Sequence, residues 1–163
     1  MIRSFTIGVP VYSRSTSEIS EALSRFRGIL DDHCTAQGLE PRTLRLTLPP
    51  PTIDAEGNPG MLRSIIDSVR GLADAAGARW YCMPLDLFAD HGRKSLLDEA
   101  QSLVLRDDKL FLNLIVADED AISMAGAEAA GRFVLNLARR SINGIDNFRV
   151  GISAACPAGT TRL

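Results

Sequence analysis

The chain reads as an α/β domain on a largely parallel five-stranded sheet flanked by about four helices, and three observations predict it. Short segments of period two alternate with longer segments whose apolar residues recur every three or four positions, in the order βαβαβαβαβ. That order normally folds into a parallel sheet with right-handed crossovers. The run 110–116 is almost wholly apolar, the pattern of a central strand covered on both faces. One antiparallel strand in a mixed sheet stays compatible with this reading. The 163 residues suit one domain with one core, and no repeat, low-complexity tract or linker divides them.

Residues 5–9 are a short β-rich run. Residues 15–37 then carry a helical stripe of Ile19, Leu23, Phe26, Leu30 and His33/Cys34, which places His33 among packed residues. Ser15 and Glu18 have capping-box spacing at its start, and Gly38 is placed to end it. In 43–48, Leu44, Leu46 and Leu48 alternate strictly with Thr43, Arg45 and Thr47, so one strand face is apolar and the other polar. Pro49, Pro50 and Pro51 open a loop, because proline lacks the amide donor. A second helix spans 60–76, with Ile65, Ile66, Val69, Leu72, Ala73 and Ala76 on one side, and Gly77 closes it. Residues 78–85 are a third strand and 96–104 a shorter helix. The fourth helix starts at Asp120 or Ser123 and runs to about Ser141, with Gly126, Ala129 and Ala130 allowing close packing on the sheet. Asn143-Gly144 signals a turn before a fifth strand at 148–153.

Composition narrows the function classes. A formal net charge of −2 offers no basic field for nucleic acid. No apolar stretch reaches the roughly 18 residues needed to span a bilayer, and Met1 to Ser4 leads straight into a strand without a signal peptide's features, which makes the cytoplasm the default location. Cys34, Cys82 and Cys156 form no CxxC pair, and His33 and His91 are too few for a transition-metal site. There is no Walker loop, dinucleotide fingerprint or nucleophile elbow, so no cofactor is expected.

In open α/β sheets ligands gather at the carboxyl ends of strands, which selects Tyr12, Ser13, Arg14, Pro49, Asp86, Asp118 and residues 156–160, ending at Thr160. Arg14 precedes Ser15, Thr16 and Ser17 at a helix start, where free amides and the helix dipole favour an anion. The same hydroxyls also serve as a plain cap with Arg14 in solvent. Cys156 is a candidate nucleophile, although a lone cysteine also serves as a small packed residue. Asn113, the one polar residue in 110–116, is suited to holding a backbone group or a substrate. His91 sits in a loop, where a histidine is suited to proton transfer near neutrality or is simply a surface residue. The acidic run 118–120 fits a metal site or, equally, a helix start.

Residues 156–160, Cys-Pro-Ala-Gly-Thr, form a redirecting loop directly after a strand and three residues before Leu163. The expectation is therefore half of a larger architecture, completed by a second protein subunit that contacts segment 153–163.

Several stretches resemble the N-terminal part of the DUF711 family, related in fold to pyruvate formate-lyase-like proteins. They are Ile2-Arg3-Ser4-Phe5-Thr6-Ile7-Gly8, then Arg42-Thr43-Leu44-Arg45-Leu46-Thr47-Leu48-Pro49-Pro50, the helix 123–140, and Asn147-Phe148-Arg149 leading to residues 156–160. In that family a Pro-x-Gly-Thr-Pro turn continues into a long C-terminal half; here Thr161 stands at the final proline position. As a split protein the chain is also similar to the small subunit of the two-chain aziridine-forming enzymes of azinomycin-type biosynthesis. That resemblance implies ring closure by intramolecular amine attack with sulfate leaving, on a small-molecule substrate that a carrier protein can hold. It further implies a sulfate clamp, for which Arg14 with the amides of Ser15 to Ser17 is available. A group keeping the amine unprotonated falls to Asp86 or His91. A non-catalytic stabilising subunit and a small-anion-binding domain are the competing expectations.

Overall fold

The computed structural model describes residues 4–40, 43–51, 60–88, 94–118 and 120–154. Strands β1 (Phe5–Gly8), β2 (Leu44–Thr47), β3 (Trp80–Asp86), β4 (Leu110–Ile115) and β5 (Val150–Ser153) form one sheet in the order β1-β2-β3-β4-β5. All four pairings are parallel, so no strand of this sheet is antiparallel. Helices α1 (Thr16–Ala36), α2 (Met61–Ala75), α3 (Lys94–Arg106) and α4 (Met124–Arg140) connect them. β3 is central, and the apolar β4 lies one place from it, between β3 and β5.

The local signals act as expected at most ends. Ser15 caps α1 with a full capping box: its side chain accepts from the Glu18 amide, and the Glu18 carboxylate accepts from the Ser15 amide at 2.9 Å. Ser123, and not Asp120, caps α4, accepting from the Gly126 amide at 3.0 Å. Gly126 must be glycine, because a Cβ there would lie 2.9 Å from the Leu87 carbonyl oxygen. The fifth strand begins two residues later than its apolar pattern suggests. Residues Ile142–Arg149 instead form a 3-10 stretch kinked at Asn143 and Gly144, which take left-handed φ of 55° and 68°. His33 is exposed, a correction to its place on the apolar stripe. Cys34, four residues after Leu30, fills that stripe, and His33 is rotated a further 100° or so about the axis.

The strand order has a strong consequence. Each crossover adds the next strand at the same edge, and right-handed crossovers in one direction leave every helix on one face. The packing agrees. A single core takes Leu44 and Leu46 from β2, Tyr81, Met83 and Leu85 from β3, and Leu110, Leu112 and Leu114 from β4, all on one side by register. Ile19 and Leu23 of α1, the buried residues of α2, Ala100, Leu103 and Val104 of α3, and Ala130, Phe133 and Leu137 of α4 pack into that same core. None of α1 to α4 packs on the other face, where the 3-10 stretch Ile142–Arg149 sets Phe148 against Phe111. The expectation that β4 is covered on both sides is thus corrected: helices cover only its Leu110, Leu112 and Leu114 side. On its second side Asn113 and Ile115 are nonetheless buried, and Phe111, half-buried, meets Phe148 of the 3-10 stretch.

The amino ends of β3 and β4 are held by buried charge. Asp107 accepts from the Tyr81 hydroxyl at 2.5 Å and the Lys109 amide at 2.9 Å, and pairs with Arg70 at 3.0 Å. Burial first, then the bond to Asp107, pushes the Tyr81 phenol well above its ordinary value. Arg149, only 5% exposed, donates to the Asp107, Leu110 and Val104 carbonyls and to the Asp146 carboxylate. It ties the end of α3 to the start of β4 and to the turn before β5. Among the described residues no helix is long and apolar enough to cross a membrane.

Candidate functional site

The structure separates the residues that sequence reasoning selected. Tyr12, Ser13 and Arg14 lie in the turn between β1 and α1, at one edge of the sheet. Tyr12 is 45% exposed, and its partial burial pushes the phenol up to about 12. Ser13 donates weakly to the Pro10 carbonyl, and Thr16 meets Ser68 of α2 at 3.4 Å. Arg14 is exposed beside a shallow groove between β1 and α1 that also holds Glu18. Glu18 already occupies the α1 start. Its carboxylate accepts from both the Ser15 hydroxyl and amide, and these bonds, helped by Arg14, hold it below the usual carboxylate range.

Asp86 and Asn113 lie together near the carboxyl end of the second sheet face, since Pro84 is level with Asn113 and Asp86 with Ile115. Asp86 accepts from the Phe88 amide at 3.1 Å. Asp118 accepts from the amides of Asp120 and Ala121, an acid-stabilised turn leading into α4. Among the described residues no cluster of three or more His, Cys, Asp or Glu could hold a metal. His91, Cys156 and Thr160 lie outside the described residues, as does most of segment 153–163. Arg14 and the 156–160 loop were expected to share a crevice if their strands were neighbours. β1 and β5 instead form opposite edges of the sheet, so the sheet order does not bring them together.

Another groove, smaller than the one of about 590 Å³ beside Arg14, lies on the second face with a volume near 240 Å³. Register builds it. Thr6, Arg45 and Trp80 form one row across β1, β2 and β3; Gly8, Thr47, Cys82 and Phe111 form the next; Asn113 and Gly151 follow. The guanidinium of Arg45 lies 5.0 Å from the Trp80 ring centre and that of Arg79 lies 4.5 Å from it. Trp80 meets Phe111 at 5.4 Å, and Phe111 meets the edge of Phe148 at 5.6 Å with rings 85° apart. These are the tilted and edge-on geometries that ring quadrupoles favour.

Two buried donors on this groove lack an acceptor: Arg45 Nε and Asn113 Nδ2. Leaving a buried donor unsatisfied costs about 1–3 kcal/mol, more for a charged one. The Asn113 Oδ1 accepts from the Ser153 hydroxyl at 2.5 Å, which assigns the amide nitrogen as the free end. Asn113 was legible in the sequence as an odd polar residue. Arg45, Trp80 and Phe111 were not, because the signal is their shared strand parity, and that becomes visible only when the strand order is known.

Cys82 shares this face, and burial pushes its thiol up to about 11. We expect iodoacetamide to modify it slowly at pH 8 and faster only as pH approaches 11. Its folded-state value lies above the unfolded one of about 8.5. The neutral thiol's contribution to stability is therefore complete below that value and lost between it and about 11. Pulsed alkylation with peptide mass mapping checks this, and free-thiol reactivity at pH 8 would refute it.

Fold and groove together define a class: an all-parallel α/β sheet with its four described α-helices on one face and a cationic and aromatic groove on the other. No protein-family profile and no curated protein matches this chain.

Proposed function

We propose that this chain is one subunit of a two-chain, DUF711-like enzyme, and that a second, different chain closes the second sheet face. The observation that supports this is the one-sided sheet. All-parallel sheets occur almost only with both faces covered, and here α1 to α4 all pack on one side, with only Phe148 of the 3-10 stretch reaching the other. The partner differs from this chain because the face presents donors in excess. A second copy would set Arg45 and the Asn113 amide against their own kind, whereas a partner offering carboxylates or carbonyls would satisfy them.

In this proposal the assembled pair closes an aziridine. The amine lone pair forms the new C–N bond, the C–O bond breaks, sulfate leaves with the electron pair, and the amine proton passes to a base, a role we assign to Asp86 on the same face. We put the sulfate clamp at Arg45 in preference to Arg14, because the α1 start already carries Glu18 while Arg45 Nε has no acceptor.

Co-expression with the product of the adjacent gene is the test. The expected result is a stable complex by light scattering, with amide exchange slowed on β2, β3 and β4. A monodisperse monomer that ignores that neighbour, or a symmetric homodimer through this face, would sink the proposal.

A further inference from the structure

We infer that the second-face groove binds an aryl or similarly planar acid, with the ring on Phe111 and Phe148 and the anionic head at Arg45. This names the substrate class for the face that the preceding proposal assigns to the active assembly, and it rests on that reading. Four observations lead to it.

Two guanidinium groups converge on the Trp80 ring, and among the described residues neither Arg45 nor Arg79 has an ion-pair partner. Cations collected on one aromatic ring without a carboxylate leave an anion to be supplied from outside. Stacking on the ring also orients the Arg45 plane, so an incoming acid meets a guanidinium already held in place. The second observation is Phe148. It is 63% exposed, yet its edge packs on Phe111 beside the groove, which leaves an apolar wall for a ring to complete.

The third is Asn113, 3% exposed, with its oxygen engaged by Ser153 and its Nδ2 donor without an acceptor. A buried amide fixed at one end and unsatisfied at the other fits a second ligand oxygen. The fourth is size. A volume near 240 Å³ is below the roughly 300–1,000 Å³ of sites for drug-sized ligands, so it suits one ring with a short acidic arm.

Trp80 is the single tryptophan of the chain, so its indole N–H gives one resonance that reports on the groove. The probe is 3-phenylpropanoate, titrated into the 15N-labelled full chain, alone or with its unlabelled partner. Controls are 3-phenylpropan-1-ol, which keeps the ring and lacks the charge, and inorganic sulfate, which keeps the charge and lacks the ring. We expect a saturable shift with the acid and binding at least about tenfold weaker with either control, the loss of one charge-assisted contact or of the ring's burial. Arg45→Gln should weaken the acid about tenfold or more, and Phe148→Ala, at an exposed position, severalfold, with the urea midpoint of each variant confirming a folded chain. Equal binding of the alcohol, indifference to both substitutions, or no saturable shift overturns the inference. The pairing is read separately by light scattering. A chain that pairs but ignores the acid overturns the ligand assignment alone, and one that binds the acid but never pairs overturns the subunit reading alone.

Discussion

Arg149→Ala is expected to lower the stability of this chain by about 3–5 kcal/mol, the range for breaking one side of a buried charged pair. Arg149 is nearly inaccessible and donates to four acceptors on three elements: the end of α3, the start of β4 and the turn before β5. Truncation leaves the Val104, Asp107 and Leu110 carbonyls short of a donor and the Asp146 carboxylate without its cation. Lysine should recover little, because a single ammonium cannot reproduce a planar fork that reaches acceptors from separate elements. The comparison is Arg132→Ala, whose partner Glu128 is a surface i,i+4 contact, and a change of at most about 0.5 kcal/mol is expected there. Urea midpoints at constant slope measure both. An Arg149→Ala chain within about 1 kcal/mol of the parent would show that the carbonyls find other donors.

The other large effect belongs to the assembled enzyme. Arg45→Gln is expected to slow turnover by roughly tens- to a thousandfold, the loss seen when one preorganised donor to a developing anion is removed. Arg14→Ala should change it far less. Arg14 is exposed and faces Glu18, whose carboxylate already satisfies the start of α1, whereas Arg45 is stacked on Trp80 with an unpartnered Nε. Turnover of the two variants in the co-purified pair decides between them. An inactive Arg14→Ala enzyme beside an active Arg45→Gln enzyme would return the clamp to the helix start.

These expectations draw on different depths of information. The capping box at Ser15 and Glu18, the left-handed turn at Asn143 and Gly144, and the strict alternation of 43–48 are local, and local rules read them correctly. The start of β5 was misplaced because Phe148 and Arg149 carry strand-like chemistry while serving other ends. Phe148 packs against Phe111 across the sheet, and Arg149 turns inward to the carbonyls of α3. His33 was misplaced because it adjoins Cys34, and a rotation of about 100° per residue separates a buried neighbour from an exposed one.

The sequence by itself determined the class and the element order and favoured a largely parallel sheet, because periodicity and caps are properties of neighbouring residues; that every pairing is parallel was decided by the structure. It also marked Asn113 and Asp86, each conspicuous within its own segment. The tertiary structure alone decided that the strands line up in chain order, and so that α1 to α4 fall on one face and, among the described residues, none of them covers the other. It alone brought Arg45, Trp80, Phe111 and Phe148 into one groove. They lie on separate elements, up to about a hundred positions apart in the chain, and are joined only by strand register. Register is set by hydrogen bonding between strands and by the shared burial of one face, and neither is encoded in any single segment.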